Sequence, residues 1–117
     1  MKSGMAIAEW LSARDEVSEV LHPGLPGAPG HEIWKRDFTG ACGLFGFVIK
    51  ESAQAKVDAF LNALTLFGMG YSWGGFESLA IPCDVTTYRS ATTWNRDGQL
   101  MRLHIGLEDV EDLKADL

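Results

Sequence analysis

With 117 residues and a net charge of −6 at pH 7, the chain has room for one domain and no cationic surplus to draw it to nucleic acid or an anionic membrane. Hydrophobic residues make up 46% and charged residues 22%; this excludes a disordered chain, and no apolar run approaches the ~20 residues of a membrane span. Cys42 and Cys83 lack CxxC spacing, which argues against a disulfide framework or zinc site, and with no apolar signal region behind Met1-Lys2-Ser3-Gly4 a cytoplasmic setting is expected.

Ile7, Trp10 and Leu11 recur at helical spacing within Met5 to Arg14 and predict an amphipathic helix. A short strand, Val17 to Leu21, follows and stops at His22-Pro23. Three prolines and three glycines from Pro23 to Gly30 make a loop. His31 to Phe38 predicts one or two helical turns with Trp34 facing inward. Gly43 to Lys50, with Leu44, Phe45, Phe47, Val48 and Ile49, reads as a strand buried on both faces. Ser52 stands where a helix N-cap belongs. Val57, Phe60, Leu61 and Leu64 form the stripe of that helix, which should end near Gly68.

A strand is expected at Glu77 to Ile81, then a long loop from Cys83 to Gly98 anchored by Tyr88 and Trp94. In Leu100 to Leu107, Met101, Leu103, Ile105 and Leu107 alternate with Leu100, Arg102, His104 and Gly106. This is a strand with one apolar and one polar face. Glu108-Asp109 opens a last helix whose positive end suits acids, with Val110, Leu113 and Leu117 facing in. Leu117 is an inward apolar position with no stop signal after it, so a truncated chain is expected. The whole predicts an α+β fold: a small, mostly antiparallel sheet with helices packed on one face, its other face wet or covered by another domain.

Tyr71-Ser72-Trp73-Gly74-Gly75-Phe76-Glu77-Ser78 suits neither a helix nor a regular strand. Its glycine pair permits positive φ or close approach, so the stretch reads as a pocket wall or as a bulged turn whose aromatics simply pack. Arg102 lies mid-strand on the polar face, where a guanidinium can hold a carboxylate bidentately or stand solvated. It should look toward Ser72 if the turn at Gly74-Gly75 folds back, and Ser72 could donate to the same carboxylate. His104 reads as a packed or solvated histidine, and His22 and His31 have no metal-ligand spacing. Glu77 reads as a cap or salt-bridge partner, and the acids from Glu108 to Asp116 as a solvated helix face. No phosphate loop and no GxSxG nucleophile elbow is present.

Four stretches carry a resemblance: AIAEWLSARDEVSEVLHPGLPG, GHEIWKRDFTGACGLFGFVIK, LFGMGYSWGGFESLAIP and LMRLHIGLEDVEDLKADL. In order and spacing, over nearly the whole chain, the sequence resembles the C-terminal domain of the cystathionine β-lyase group. That group lies within the Cys/Met-metabolism family of pyridoxal-phosphate enzymes, of aspartate aminotransferase fold type I. The resemblance implies a single domain over residues 1–117 that folds against a larger cofactor domain, absent from this chain, and closes over the substrate.

By the same resemblance Arg102 pairs with the α-carboxylate of an amino acid such as cystathionine. Ser72 and Trp73 line that side of the pocket, and Tyr71 borders it. Related γ-lyases and γ-synthases tend to carry leucine where Trp73 stands, so Trp73 implies the β-lyase branch and cleavage to homocysteine, pyruvate and ammonia. Pyridoxal phosphate belongs to the complete enzyme, which the resemblance implies is a homo-oligomer, a tetramer in the family. None of Lys2, Lys35, Lys50, Lys56 and Lys114 sits in a Ser-x-Thr-Lys-like segment. No catalytic or cofactor-binding residue is therefore expected here; the isolated chain is expected to be inactive and to expose an apolar strip near Phe76 and Trp73. The alternatives are a free-standing module binding an amino acid or a partner protein without catalysis, and a γ-lyase.

Overall fold

A computed structural model describes residues 2–117. The elements run α1 (Lys2–Ser12), β1 (Val17–Leu21), α2 (His31–Asp37), β2 (Leu44–Ile49), α3 (Gln54–Ala63), β3 (Leu79–Cys83), β4 (Gln99–His104) and α4 (Val110–Asp116). The strands form one antiparallel sheet in the order β1-β2-β4-β3. This is the α+β fold that the periodicities predict.

Side-chain alternation divides the sheet cleanly. Val20, Phe47 and Met101 sit side by side across β1, β2 and β4, and Phe45, Leu103 and Ala80 across β2, β4 and β3. These residues share a core with Ile7, Ala8 and Leu11 of α1, Val57 and Leu61 of α3, and Leu113 of α4. Each such large apolar side chain contributes about 1.5–3 kcal/mol by leaving water. The two central strands thus have their helix-facing side sealed. Their other side is partly closed by the chain's own loops. There Val48 and Ile81 are buried, Arg96 reaches across to pair with Glu19 of β1, and the turn before β3 lies over Arg102 and His104.

The structure corrects several expected boundaries. α1 begins three residues before the predicted start and ends at Ser12. α2 buries no residue: Trp34 is half-buried and stacked on His31 at the surface, with ring centroids 5.6 Å apart. Ser52 is not the cap of α3. The cap is Ala53, and the Glu51 carboxylate receives the Ser52 and Ala53 amides at 3.0 and 2.8 Å. That helix ends at Ala63 rather than near Gly68. The reason lies in α4, whose Asp116 takes the amides of Thr65, Leu66 and Phe67 at 2.8, 2.8 and 3.2 Å. With those donors satisfied by a carboxylate, the backbone has no need of a further helical turn.

The edge strand β3 is shifted two residues onward and includes Pro82, which an edge tolerates. Tyr88 is exposed and anchors nothing, whereas Trp94 is half-buried between guanidinium groups, Arg96 at 4.7 Å and Arg89 at 5.5 Å from its ring. Alternation holds for Met101 and Leu103 of β4 and for Ile105 just past its end, and fails at Leu107, which lies beyond the strand and is 84% exposed.

Candidate substrate-binding site

β4 presents Arg102 and His104 on the side away from the helices, and the turn from Gly70 to Ser78 folds back over both. Arg102 Nη2 donates to the carbonyl of Tyr71 at 2.8 Å, with those of Gly70 and Ser72 at 3.2 and 3.4 Å. Its Nε is shut off from solvent and has no hydrogen-bond partner. The geometry the sequence suggests, with Arg102 looking toward Ser72 across a folded-back turn, is present. It is made through the turn's carbonyl groups, not through the Ser72 hydroxyl.

Tyr71, Ser72 and Trp73 are all exposed, with Phe76 beside them in sequence equally so. The turn therefore gets little help from packing, and polar anchors hold it in shape. Gly74 takes φ +88°, which its missing side chain makes cheap. At the far end the Leu107 amide donates to the Phe76 carbonyl at 2.8 Å. Ser78 is fully buried; its amide and hydroxyl donate to the two Glu108 oxygens at 2.7 and 2.8 Å, while its oxygen accepts from the Gly106 amide at 2.9 Å. Gly106 must be glycine for this approach, since a Cβ there would lie 2.2 Å from the Phe76 carbonyl oxygen.

Partial burial alone would raise the Glu108 carboxyl, but the Ser78 donors, its own amide and the nearby His104 outweigh it and hold the group below its ordinary value. Asp116 behaves the same way: burial pushes it up, and the Thr65, Leu66 and Phe67 donors bring it lower. Both acids were expected on a solvated helix face. Instead each clamps backbone at one end of the segment that leads into and out of the turn. Asp109 at the helix start acts locally, accepting from the Glu111 amide as N-cap, and Glu111 pairs locally with Lys114. Glu77, the expected cap or ion-pair residue, is exposed and enters no salt bridge among the described residues. His22 is buried with both ring nitrogens engaged, by the Gly24 amide and the Cys42 carbonyl, and His31 lies near the Pro23 carbonyl at 2.9 Å. Among the described residues no cluster of metal-ligating side chains occurs.

A family model described as Cys/Met metabolism PLP-dependent enzyme matches residues 1–117. The chain belongs to that family. It is 49% identical over 120 residues to the cystathionine beta-lyase of Escherichia coli strain K12, covering 99% of this chain and 30% of that protein. To the human cystathionine gamma-lyase it is 44% identical over 121 residues, covering 99% of this chain and 30% of that protein. Among solved structures, the cystathionine gamma synthase of Xanthomonas oryzae pv. oryzae superimposes with a TM-score of 0.83 at 36% identity. That match covers 99% of this chain and 31% of the other. The chain thus spans about 30% of the length of the curated relatives it matches.

The cofactor in the family's description does not fit the residues assembled here. Pyridoxal phosphate needs an amine for covalent attachment and a cradle of donors for its phosphate. Lys56 is paired with Glu51 at 2.7 Å and Lys114 with Glu111 at 2.8 Å, Lys50 meets the Asp15 carbonyl, and Lys2 and Lys35 are exposed on α1 and α2. None of them joins the turn and Arg102. In the glycine pair, the Gly74 amide and the Gly75 carbonyl are turned to His104. No chemical step through the cofactor is derived from these residues.

Proposed function

We propose that this chain is the C-terminal, substrate-closing domain of a pyridoxal-phosphate-dependent carbon–sulfur β-lyase, which with water converts cystathionine to homocysteine, pyruvate and ammonia. In that reading Arg102 pairs with the substrate α-carboxylate, Ser72 and Trp73 line the same side of the pocket, and Tyr71 borders it. The observation that carries the reading is the fold-back of the Gly70–Ser78 turn onto Arg102. It brings all four residues to one end of the sheet and leaves the Arg102 Nε without an acceptor. An unpaired buried donor is costly, and an acceptor reaching this guanidinium would offset that cost.

Over the same share of this chain, the higher identity to a cystathionine beta-lyase, 49% against 44% for the human gamma-lyase, supports the β-lyase branch, as does Trp73, where leucine is the tendency in γ-enzymes. The exposed aromatics Tyr71, Trp73 and Phe76 supply the apolar surface against which a larger cofactor domain would close, and the cofactor held by that domain would supply the electron sink. The isolated chain is proposed to recognise substrate without turning it over.

The test is Arg102→Ala in the full-length enzyme. A charge-assisted bidentate pair is worth about 1.5–3 kcal/mol, so kcat/KM should fall by roughly 10- to 200-fold. Arg102→Lys should recover little, because an ammonium lacks the planar fork. Activity within about twofold of the parent for both Arg102→Ala and Ser72→Ala would overturn the carboxylate role. Release of 2-oxobutyrate in place of pyruvate from cystathionine would move the enzyme to the γ-lyase branch.

A further inference from the structure

His104 lies on β4 two residues beyond Arg102, is only 7% exposed, and faces the middle of the turn. Its Nε2 is 3.1 Å from the Gly75 carbonyl oxygen, and the Gly74 amide nitrogen approaches the ring at 3.2 Å from Nε2 and 3.4 Å from Nδ1. A neutral imidazole can serve both groups, donating from Nε2 and accepting at Nδ1. Arg102 holds the carbonyls at the start of the turn, and Glu108 with the Leu107 amide holds its end. Among the described residues, His104 is the one side chain that grips the backbone between them. A Cβ at Gly74 or Gly75 would meet nothing within 4 Å. Crowding therefore does not set the path of the chain immediately after Trp73; the ring and the positive φ of Gly74 do.

We propose that His104 is a positioning residue for substrate recognition, setting where Trp73 stands relative to Arg102 by holding the Gly74-Gly75 peptide. Trp73 is 63% exposed, so packing does little to fix it. Without the ring, the Gly74 amide and the Gly75 carbonyl lose their protein partner, the turn samples other paths, and the pocket wall loses its preorganised shape. The inference rests on the reading of Tyr71, Ser72 and Trp73 as that wall.

Two measurements on the full-length holoenzyme test it. In amide hydrogen exchange without substrate, the peptide covering residues 70–78 should exchange about tenfold faster in His104→Ala, as expected for the loss of one or two net hydrogen bonds. His104→Gln, whose amide can both donate and accept, should restore most of the protection. In kinetics, His104→Ala should lower kcat/KM for cystathionine about tenfold. Combined with Trp73→Ala, it should leave the double variant no worse than Trp73→Ala alone, because both changes remove the same wall. Unchanged exchange in the 70–78 peptide, or kinetic losses that multiply, would overturn the proposal. If His104→Ala does not fold, His104→Phe, which keeps a ring but can neither donate nor accept, is read by the same criteria: faster exchange confined to the 70–78 peptide supports the proposal, and unchanged exchange there or a uniform loss of protection across the whole chain overturns it. Exchange needs no turnover. A parent enzyme that does not cleave cystathionine would therefore overturn the proposed function while the exchange result still judges His104.

Discussion

The two faces of β4 are held by different physics, though they share one backbone. Met101, Leu103 and Ile105 face the helices and are buried among side chains from α1, α3 and α4. Arg102 and His104 face the other way, and the contacts they make are directional ones to the backbone of a single turn. Apolar burial is non-directional and tolerates small shifts. Hydrogen bonds to particular carbonyls and amides fail when their partners move by an ångström. One face therefore stabilises the domain and the other shapes a surface.

The contrast can be broken experimentally, beginning where the effect is largest. Leu103→Ala should destabilise the protein by about 2–5 kcal/mol, as for other buried large-to-small changes. Urea unfolding should show a lower midpoint at an unchanged slope. Arg102→Ala should leave that midpoint nearly where it is while kcat/KM falls. If the two variants lost equal stability, the division of labour between the faces would be wrong.

Ser78→Ala sharpens the boundary between them. It strips the half-buried Gly106 amide of its acceptor and Glu108 of one donor, and should cost about 1–3 kcal/mol. Glu108 adds a pH signature. Its folded carboxyl lies below its ordinary value of 4.5, so its contribution is fully present above that value and fades as pH falls through the lower folded value. Glu108→Gln should be less stable than the parent at neutral pH and should lose this part of the acid sensitivity. A parallel loss in both proteins between neutral pH and pH about 3 would count against the clamp.

The smallest effect belongs to a region remote from the turn. Glu51 is held down to about 2, first by Lys56 and then by the Ala53 amide. Its ion pair is exposed, and such pairs contribute little. Glu51→Gln should shift the thermal midpoint only slightly at neutral pH, and the difference should vanish as pH drops from 4.5 toward about 2. A large shift at neutral pH would mean that capping of α3 matters as much as the buried contacts.

The sequence by itself determined the period-two alternation of Met101, Leu103 and Ile105, the extent of β1, the apolar stripe at Val57 and Leu61, and therefore the layer of helices on one side of an antiparallel sheet. It also placed Arg102 on the polar face beside a glycine-paired turn. These are local signals, because burial repeats with the geometry of the element that carries it. Tertiary structure alone decided that Asp116 ends α3 across 51 residues of sequence, that Glu108 clamps Ser78 across 30, and that His104 grips Gly74 across 30. It alone left Leu107 and Tyr88 in solvent. A carboxylate or imidazole that will meet a distant backbone amide looks, in the one-dimensional chain, like any solvated acid or histidine. Its partner is an N–H group that every residue except proline carries, so no pattern of side chains announces the pairing.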